Sequence, residues 1–324
     1  MAWSNVLFAL HFLRVPQEEA YRAHLAYGEL FRDVQPFLHR TLQKRRKIRI
    51  GYISPDLRRH VVLRFAEALF TQYDAERFEV FCYQNGPEDE ESRRIMRLVD
   101  AWRNISPLSP QEAARRIYED GVDILVDLAG HTRGTALPVL ACRPAPVQVT
   151  GIGYFNTTGL ATVDYMLSDV HVDPIGAEDD SFIEEMIRLP HSHFCYTLPD
   201  DLPAVSAPPM ERRGYVTFGS FNNFSKVTDE VLCLWKKLLD TVPNARLLLK
   251  SKLFGSTEGR EIAAERFARC GIPTERVEMR GFGPNHRAAY GDMDIALDTF
   301  PYTGGITTCE ALAMGVPVVT MRGT

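Results

Sequence analysis

Short apolar segments alternate with longer amphipathic segments along most of this chain, and this alternation restricts the fold more than any other feature. The clearest apolar segment runs from Asp123 to Leu128 and has the composition and polar boundaries of a buried strand. Strands that alternate with helices form parallel βαβ units. The sequence therefore predicts an α/β fold with parallel sheets.

Two such series are present, and a proline-rich stretch between Pro199 and Pro209 separates them. This composition favours an extended connector over a packed element. The length of 324 residues also exceeds that of an ordinary single domain. We therefore expect a helical segment with a basic linker over residues 1–46, a Rossmann-like domain over 47–205 and a second Rossmann-like domain over 206–324.

The expected strands lie at residues 48–53, 78–83, 123–128, 147–150, 165–167, 216–221, 245–250, 294–298 and 318–321. Expected helices include residues 65–70, 113–118 and 232–239, together with the first part of the chain to about Leu42. The chain stops directly after its last expected strand. Because an open α/β domain normally covers such a strand with a helix, we expect a truncated second domain.

The composition narrows the class of protein. A formal net charge of -5 argues against a nucleic-acid-binding surface. The six cysteines show no metal or redox spacing, and most lie in apolar stretches where we expect buried thiols in a reducing cytoplasm. We find neither a secretory signal nor an apolar stretch approaching the roughly 20 residues that span a bilayer, so we expect no membrane partner.

Ligands of such folds bind beyond the carboxyl ends of the strands, where this chain places two polar loops. The first is Phe221–Lys226, which contains Asn223 and ends in a lysine. A lysine there can neutralise a diphosphate, and side-chain amides can donate hydrogen bonds to phosphate oxygens. A solvated lysine beside an asparagine turn explains this loop equally well.

The second polar loop follows the expected strand that ends at Asp298. Its glycines allow close backbone approach, its threonines open a helix whose amides favour phosphate, and an acidic residue one turn later can accept hydrogen bonds from sugar hydroxyls. These residues are Gly304, Gly305, Thr307, Thr308 and Glu310. A glycine turn with a threonine N-cap is the commoner explanation of this pattern taken alone.

Two histidines follow other expected strands. His60 lies in the loop after the first strand and His131 in the loop after the third. Either side chain can act as a base or bind substrate, although single histidines are more often ordinary loop or core residues.

Together these loops resemble the catalytic region of protein O-linked N-acetylglucosamine transferases, particularly the SPINDLY-like branch. The resemblance runs from about Ile48 to the end of the chain, in the order of the family. The matching stretches are Gly51–Asp56 with His60, Gly130–Thr132, Cys142–Gln148, Gly153–Leu160, Phe221–Lys226 and Asp298–Thr320.

The resemblance implies a GT-B fold and an inverting transfer of N-acetylglucosamine from UDP-GlcNAc to serine or threonine of acceptor proteins. It implies no cofactor or metal, because Lys226 and the helix start at Thr307 supply the charge. One alternative keeps the fold but uses GDP-fucose, and the Asn-Asn form of the Phe221 loop favours it. Another is a non-catalytic fragment that binds nucleotide or protein.

The resemblance also assigns roles to residues. His60 and Lys226 are the catalytic candidates. The nucleotide sugar would contact Asn223, Lys226, His286, Gly304, Gly305, Thr307, Thr308 and Glu310. The acceptor or sugar side would include His60, His131, Tyr154, Asn156 and Thr157.

The chain departs from the family pattern in two further respects. Phe155 stands where the family usually has proline, which changes the shape of that loop. The tetratricopeptide repeats that precede such domains and recruit acceptor proteins are expected in a full-length form but are absent from this sequence.

Overall fold

The strands form two separate parallel sheets in a computed structural model that describes residues 2–39, 46–176 and 179–323. The first compact unit contains the N-terminal residues up to Leu10 together with Val15–Thr197, and the second contains His11–Arg14 and the residues from Leu198 onward. The two sheets confirm the predicted pair of Rossmann-like domains. The expected boundary between residues 205 and 206 stays a prediction, and most of the basic linker lies outside the described residues.

The first unit has a sheet with strand order β3-β2-β1-β4-β5-β6-β7, in which every neighbouring pair is parallel. Its described strands are β1 (Ile48–Ser54), β2 (Phe78–Gln84), β3 (Ala101–Asn104), β4 (Ile124–Asp127), β5 (Val147–Gly151), β6 (Tyr165–Asp169) and β7 (Glu185–Leu189). Its described helices are α1 (Ala2–Leu10), α2 (Gln17–Gly28), α3 (Val61–Thr71), α4 (Glu90–Met96), α5 (Pro110–Asp120) and α6 (Leu137–Leu140).

The second unit has a parallel sheet of order β10-β9-β8-β11-β12. Its described strands are β8 (Thr217–Ser220), β9 (Arg246–Lys250), β10 (Val277–Arg280), β11 (Ile295–Leu297) and β12 (Val318–Val319). Its described helices are α7 (Pro209–Arg213), α8 (Asp229–Thr241), α9 (Thr257–Arg269) and α10 (Ile306–Ala313). None of the helices in the described parts of the chain is long and apolar enough to cross a membrane.

Local sequence explains the helix boundaries well, as α5 shows. Ser109 accepts a hydrogen bond from the backbone of Glu112, whose side chain reaches back to Ser109, and this capping box stabilises the helix start. Pro110 occupies the first helical position, where its missing N–H costs nothing. Gly121 ends the helix with a left-handed φ of 62°. The face of α5 that contains Ile117 is buried in the hydrophobic core of the first unit.

The predicted helical start is confirmed as α1 and α2, which pack into the first unit. Leu7 of α1 is fully buried, and Tyr27 of α2 is 3% exposed. Gly28 lies so close to Gly159 that a Cβ at position 28 would meet the Gly159 carbonyl oxygen at 1.9 Å. These helices therefore belong to the core of the first unit.

Candidate functional site

The loop after β8 is bonded to the loop after β11, although the two are far apart in sequence. Asn222 is 7% exposed, and its Nδ2 donates to Oδ1 of Asp298 at 3.3 Å. The Asn222 Oδ1 accepts a hydrogen bond from the Thr307 hydroxyl at 2.9 Å. One buried amide thus joins both of the predicted nucleotide loops.

The Asp298 carboxylate holds the glycine-rich loop by hydrogen bonds. Its Oδ1 accepts hydrogen bonds from the backbone nitrogens of Thr299 at 2.8 Å and Gly304 at 2.7 Å. Its Oδ2 accepts one from the Thr320 hydroxyl at 2.9 Å. The bonds of Asp298 therefore hold the backbone of the glycine-rich loop in one conformation.

Lys226 ends a short 3-10 helix, Phe224–Lys226, and extends toward the start of α10. Its Nζ donates to the Thr303 carbonyl oxygen at 2.8 Å and lies 3.8 Å from the centre of the Tyr302 ring. Burial lowers the pKa of Lys226 to about 8, an effect that the charge of Asp298 partly opposes. The ammonium is therefore held in place by contacts that need no ligand. Asn223, in contrast, is exposed and caps this short helix by accepting from the backbone of Ser225 at 3.3 Å.

The N-cap of α10 is Gly305, so the alternative of a threonine N-cap is wrong. A glycine has no side chain with which to cap the first amides of the helix. Thr307 donates its hydroxyl to Asn222, and Thr308 donates to the Gly304 carbonyl oxygen at 3.2 Å. The threonine hydroxyls thus support the loop, while the first turn of the helix keeps its amide dipoles for an anion.

Glu310 is the buried acidic centre of a neighbouring cluster, with 4% of its surface exposed. Tyr290 donates its hydroxyl to Oε2 at 3.1 Å, and Nε2 of His286 lies 3.0 Å from Oε1. Nε of Arg287 lies 3.5 Å from Oε1. The structure therefore brings together Glu310 and His286, both of which the resemblance places on the nucleotide side.

His60 is the N-cap of α3 in the first unit. Its Nδ1 accepts a hydrogen bond from the backbone nitrogen of Val62 at 3.4 Å and lies 3.5 Å from Oδ2 of Asp56. Burial lowers the pKa of His60, while Asp56 raises it and Arg58 lowers it further. With its side chain 38% exposed, the imidazole remains accessible to a ligand.

His131 and Tyr154 lie beneath α1 and α2, and Thr157 lies in the same loop as Tyr154. His131 is fully buried, with Nε2 2.9 Å from the Thr158 carbonyl oxygen, and the Tyr154 hydroxyl lies 2.7 Å from Nε2 of His24. Thr157 donates its hydroxyl to the buried Glu184 at 2.7 Å. These contacts account for the three side chains within the fold, and their assignment to the acceptor side stays a prediction.

The half-buried Asn156 and the exposed Phe155 lie on the outer part of the same loop. Asn156 Oδ1 accepts from the backbone nitrogen of Thr157 at 2.8 Å. Phe155 is 43% exposed, and its ring centre lies 5.7 Å from that of Phe194. Phe155, which stands where the family usually has proline, is therefore an accessible side chain of this loop.

Sequence reasoning did not identify Tyr290 or Lys250 as site residues. Tyr290 is 2% exposed and orients Glu310, whereas Lys250 is a 6%-exposed lysine at the carboxyl end of β9. A lysine that directly follows three leucines in a buried strand is the signal that identifies such a position. Over the described ranges, no group of three or more His, Cys, Asp or Glu side chains has an arrangement that could hold a metal ion.

The chain is similar to known proteins over nearly its whole length. A family model described as glycosyl transferase family 41 matches residues 30–202. The chain is 39% identical over 334 aligned positions to proteins from Solanum lycopersicum and Arabidopsis thaliana, each named "Probable UDP-N-acetylglucosamine--peptide N-acetylglucosaminyltransferase SPINDLY". These alignments cover 99% of this chain and 36% of each relative, so the chain spans about a third of their length.

A solved structure is also similar. A lysine-to-methionine mutant of the Thermobaculum terrenum O-GlcNAc transferase matches with a TM-score of 0.94 and 36% identity. The match covers 99% of this chain and 62% of that one. It confirms the predicted GT-B fold class.

Proposed function

Because the chain belongs to glycosyl transferase family 41, we propose that it is the catalytic region of an enzyme that transfers N-acetylglucosamine from UDP-GlcNAc to serine or threonine hydroxyls of proteins. The names of its relatives supply the donor and the peptide acceptor. The observation that carries the proposal is the Lys226 ammonium, held beside the start of α10 by Thr303 and Tyr302. A fixed cation beside a helix start suits the diphosphate of a nucleotide sugar.

In this proposal Lys226 binds the diphosphate directly. An ammonium has three N–H donors, and the Thr303 carbonyl accepts only one of them. The backbone of Gly305 and the first turn of α10 would face the same anion. Gly304 contributes close backbone approach and not a donor, because its N–H is bonded to Asp298, and the Asn222 and Asp298 bonds hold the loop in position. Asn223, exposed at the edge of the loop, contributes a side-chain amide.

Glu310 and His286 bind the nucleoside part of the donor. The Glu310 carboxylate is oriented by Tyr290 and can accept hydrogen bonds from ribose hydroxyls. His286 is 43% exposed and can move from Glu310 to contact the base while the carboxylate keeps its tyrosine partner. Together they define the nucleoside end of the site.

The reaction is a direct displacement. The acceptor oxygen attacks the anomeric carbon, the bond to the diphosphate breaks, and the acceptor proton passes late to the departing diphosphate, whose oxygen by then carries developing negative charge. His60 binds the acceptor first and serves as a base second, because its Nδ1 already accepts from the helix backbone. Lys226 stabilises the departing diphosphate.

The protein partners follow from the same activity. Acceptor proteins with accessible serine or threonine are the substrates, and in a full-length form tetratricopeptide repeats would recruit them in the cytoplasm. His131, Tyr154, Asn156 and Thr157 support the acceptor side by fixing the loop after β5.

We expect the chain to bind UDP-GlcNAc more tightly than GDP-fucose, because its relatives are named for the uridine donor. Calorimetric titration of both donors, beside UDP and GDP, measures the preference. Equal or tighter binding of the guanosine nucleotides would move the assignment to the fucose alternative. Tight donor binding without transfer to any peptide acceptor would favour the non-catalytic alternative.

We also expect EDTA to leave donor affinity unchanged. Asp298, the carboxylate of these loops, already accepts four hydrogen bonds within the fold, and Lys226 supplies the positive charge. The titration is repeated on protein treated with EDTA, with and without added Mg²⁺. A Mg²⁺-dependent gain in affinity would show that a metal shares the charge.

Donor affinity should fall as the pH rises above about 8, the pKa of Lys226 in the unliganded chain. The diphosphate stabilises the ammonium and raises its pKa in the complex, so binding above that pH must take up a proton. At one pH unit above the free pKa the loss is about tenfold relative to lower pH. Lys226→Arg is the control. A guanidinium stays charged over this pH range, so the donor affinity of the variant should not fall with the titration of residue 226. Identical pH profiles of donor affinity for the two proteins would refute the attribution of this loss to Lys226.

A further inference from the structure

Lys250 occupies a position beside the proposed donor site that the mechanism above does not use. It is the last residue of β9, and since Ser220 of β8 pairs with Leu249, Lys250 lies level with Phe221. Its Nζ lies 5.5 Å from the centre of the Phe221 ring. The lysine therefore stands at the carboxyl end of the strand next to the one that leads into the Lys226 loop.

This lysine is buried without a polar partner. Only 6% of the residue's surface is exposed, and among the described residues its ammonium forms neither a hydrogen bond nor an ion pair. Burial lowers the pKa of Lys250, the nearby Arg280 lowers it further, and Glu310 raises it. A largely buried lysine is unfavourable unless an acceptor compensates its charge.

Neither of the two neighbouring charged groups provides that acceptor. Glu310 contacts Tyr290 and His286 and forms no ion pair with Lys250 within the described residues, and Arg280 carries the same charge as Lys250 and pairs with Asp292 at 2.7 Å. Buried cations left in this state are characteristic of ligand sites.

The surroundings indicate which part of the ligand the lysine meets. The Phe221 ring lies 4.6 Å from the Tyr290 ring, and Tyr290 donates to Glu310. The Phe221 ring thus neighbours both Lys250 and Tyr290, and the charge of Glu310 acts on Lys250. Lys250 therefore lies near Tyr290 and Glu310, the proposed nucleoside end.

We propose that Lys250 is a second phosphate-binding residue, which donates to the phosphate nearest the ribose while Lys226 meets the phosphate nearest the sugar. The inference rests on the proposed nucleotide-sugar function. A ribose hydroxyl is neutral and compensates a buried ammonium poorly, whereas a diphosphate carries two negative charges and suits two lysines. The order of the two lysines follows from their neighbours, because Lys250 lies near Glu310 whereas Lys226 bonds to Thr303, just before α10 begins.

The test compares Lys250→Met, which keeps the stem and removes the charge, with wild type in titrations of uridine, UMP and UDP. We expect affinity for UMP and UDP to fall by about tenfold to a hundredfold in the variant, the usual effect of losing a charged hydrogen bond. Affinity for uridine should be unchanged. Lys226→Met should weaken UDP much more than UMP, because UMP lacks the outer phosphate.

Two controls keep the outcomes separate. Lys252→Met alters an exposed lysine two residues along the chain and should leave all three affinities unchanged. A thermal melt should show Lys250→Met folded and at least as stable as wild type, because it removes a buried, unpaired charge. Unchanged UMP affinity in Lys250→Met, or an equal loss for uridine, would overturn the inference while leaving the proposed function standing. Failure of wild type to bind UDP would instead overturn the proposed function itself.

Discussion

Lys226→Ala is expected to abolish sugar transfer while the protein stays folded. Among the described residues, the contacts of the ammonium are the Thr303 carbonyl and the Tyr302 ring, so its loss removes little from the fold. In the reaction the same ammonium would meet the growing charge of the departing diphosphate. Removing one such electrostatic contact lowers the rate by about a hundredfold to a thousandfold, or roughly 2.7–4 kcal/mol.

The measurement is transfer of labelled sugar to an acceptor peptide, beside a thermal melt of each protein. Lys237→Ala is the matched control, because Lys237 is an exposed lysine on α8 with no proposed ligand. Lys226→Arg should retain part of the activity, since it keeps the charge but not the geometry. Full activity in stably folded Lys226→Ala would remove the main support for the placement of the donor site.

Gly159→Ala is expected to destabilise the first unit severely. Gly159 has a φ of 74°, and a Cβ there would lie 2.0 Å from the carbonyl oxygen of His24. The obstacle is the backbone of α2, which cannot rotate away as a side chain can. Left-handed strain and overpacking together cost about 2–5 kcal/mol, a large part of the roughly 5–15 kcal/mol that stabilises a typical protein.

Gly176→Ala separates strain from close approach. Gly176 also has a left-handed φ, of 86°, but no atom of the described residues beyond its immediate chain neighbours lies within 4 Å of the position of its Cβ. The control should therefore lose only about 1–2 kcal/mol. Urea unfolding of both variants measures the difference, and equal losses would show that the contact between α2 and the loop contributes nothing.

The interior of each sheet was predictable from the sequence, and the edges were less so. The prediction missed β3, β7 and β10, and each of these lies at an edge of its sheet. An interior parallel strand is buried on both faces and is almost continuously apolar, whereas an edge strand is not. In β7 the sequence Glu-Met-Ile-Arg-Leu alternates exposed and half-buried positions, which is a much weaker signal.

The burial of the cysteines was also only partly predictable from the sequence. Cys82 and Cys142 are buried as expected, but the expectation is wrong for Cys195 and Cys233, which are exposed. Cys233 lies between two leucines on α8, of which Leu232 is buried and Leu234 is 48% exposed. A local apolar run does not show which face of the helix points into the core.

The candidate site was located by the position of its loops, and its internal bonds were not predictable. Asn222 and Thr307 bond across 85 residues, and no local pattern indicates that pairing. His131 and Tyr154 were singled out from their loops alone, without the N-terminal helices that cover them. Long-range packing decides what each of these side chains contacts.

Helix α2 is fastened to the loop after β5 at two separate points. Gly28 touches the backbone of Gly159, and His24 bonds to Tyr154. Because both contacts are close, a substitution that shifts α2 must also shift residues 154–159. The position of a helix near the start of the chain thus determines the shape of a loop that lies 130 residues away in the sequence.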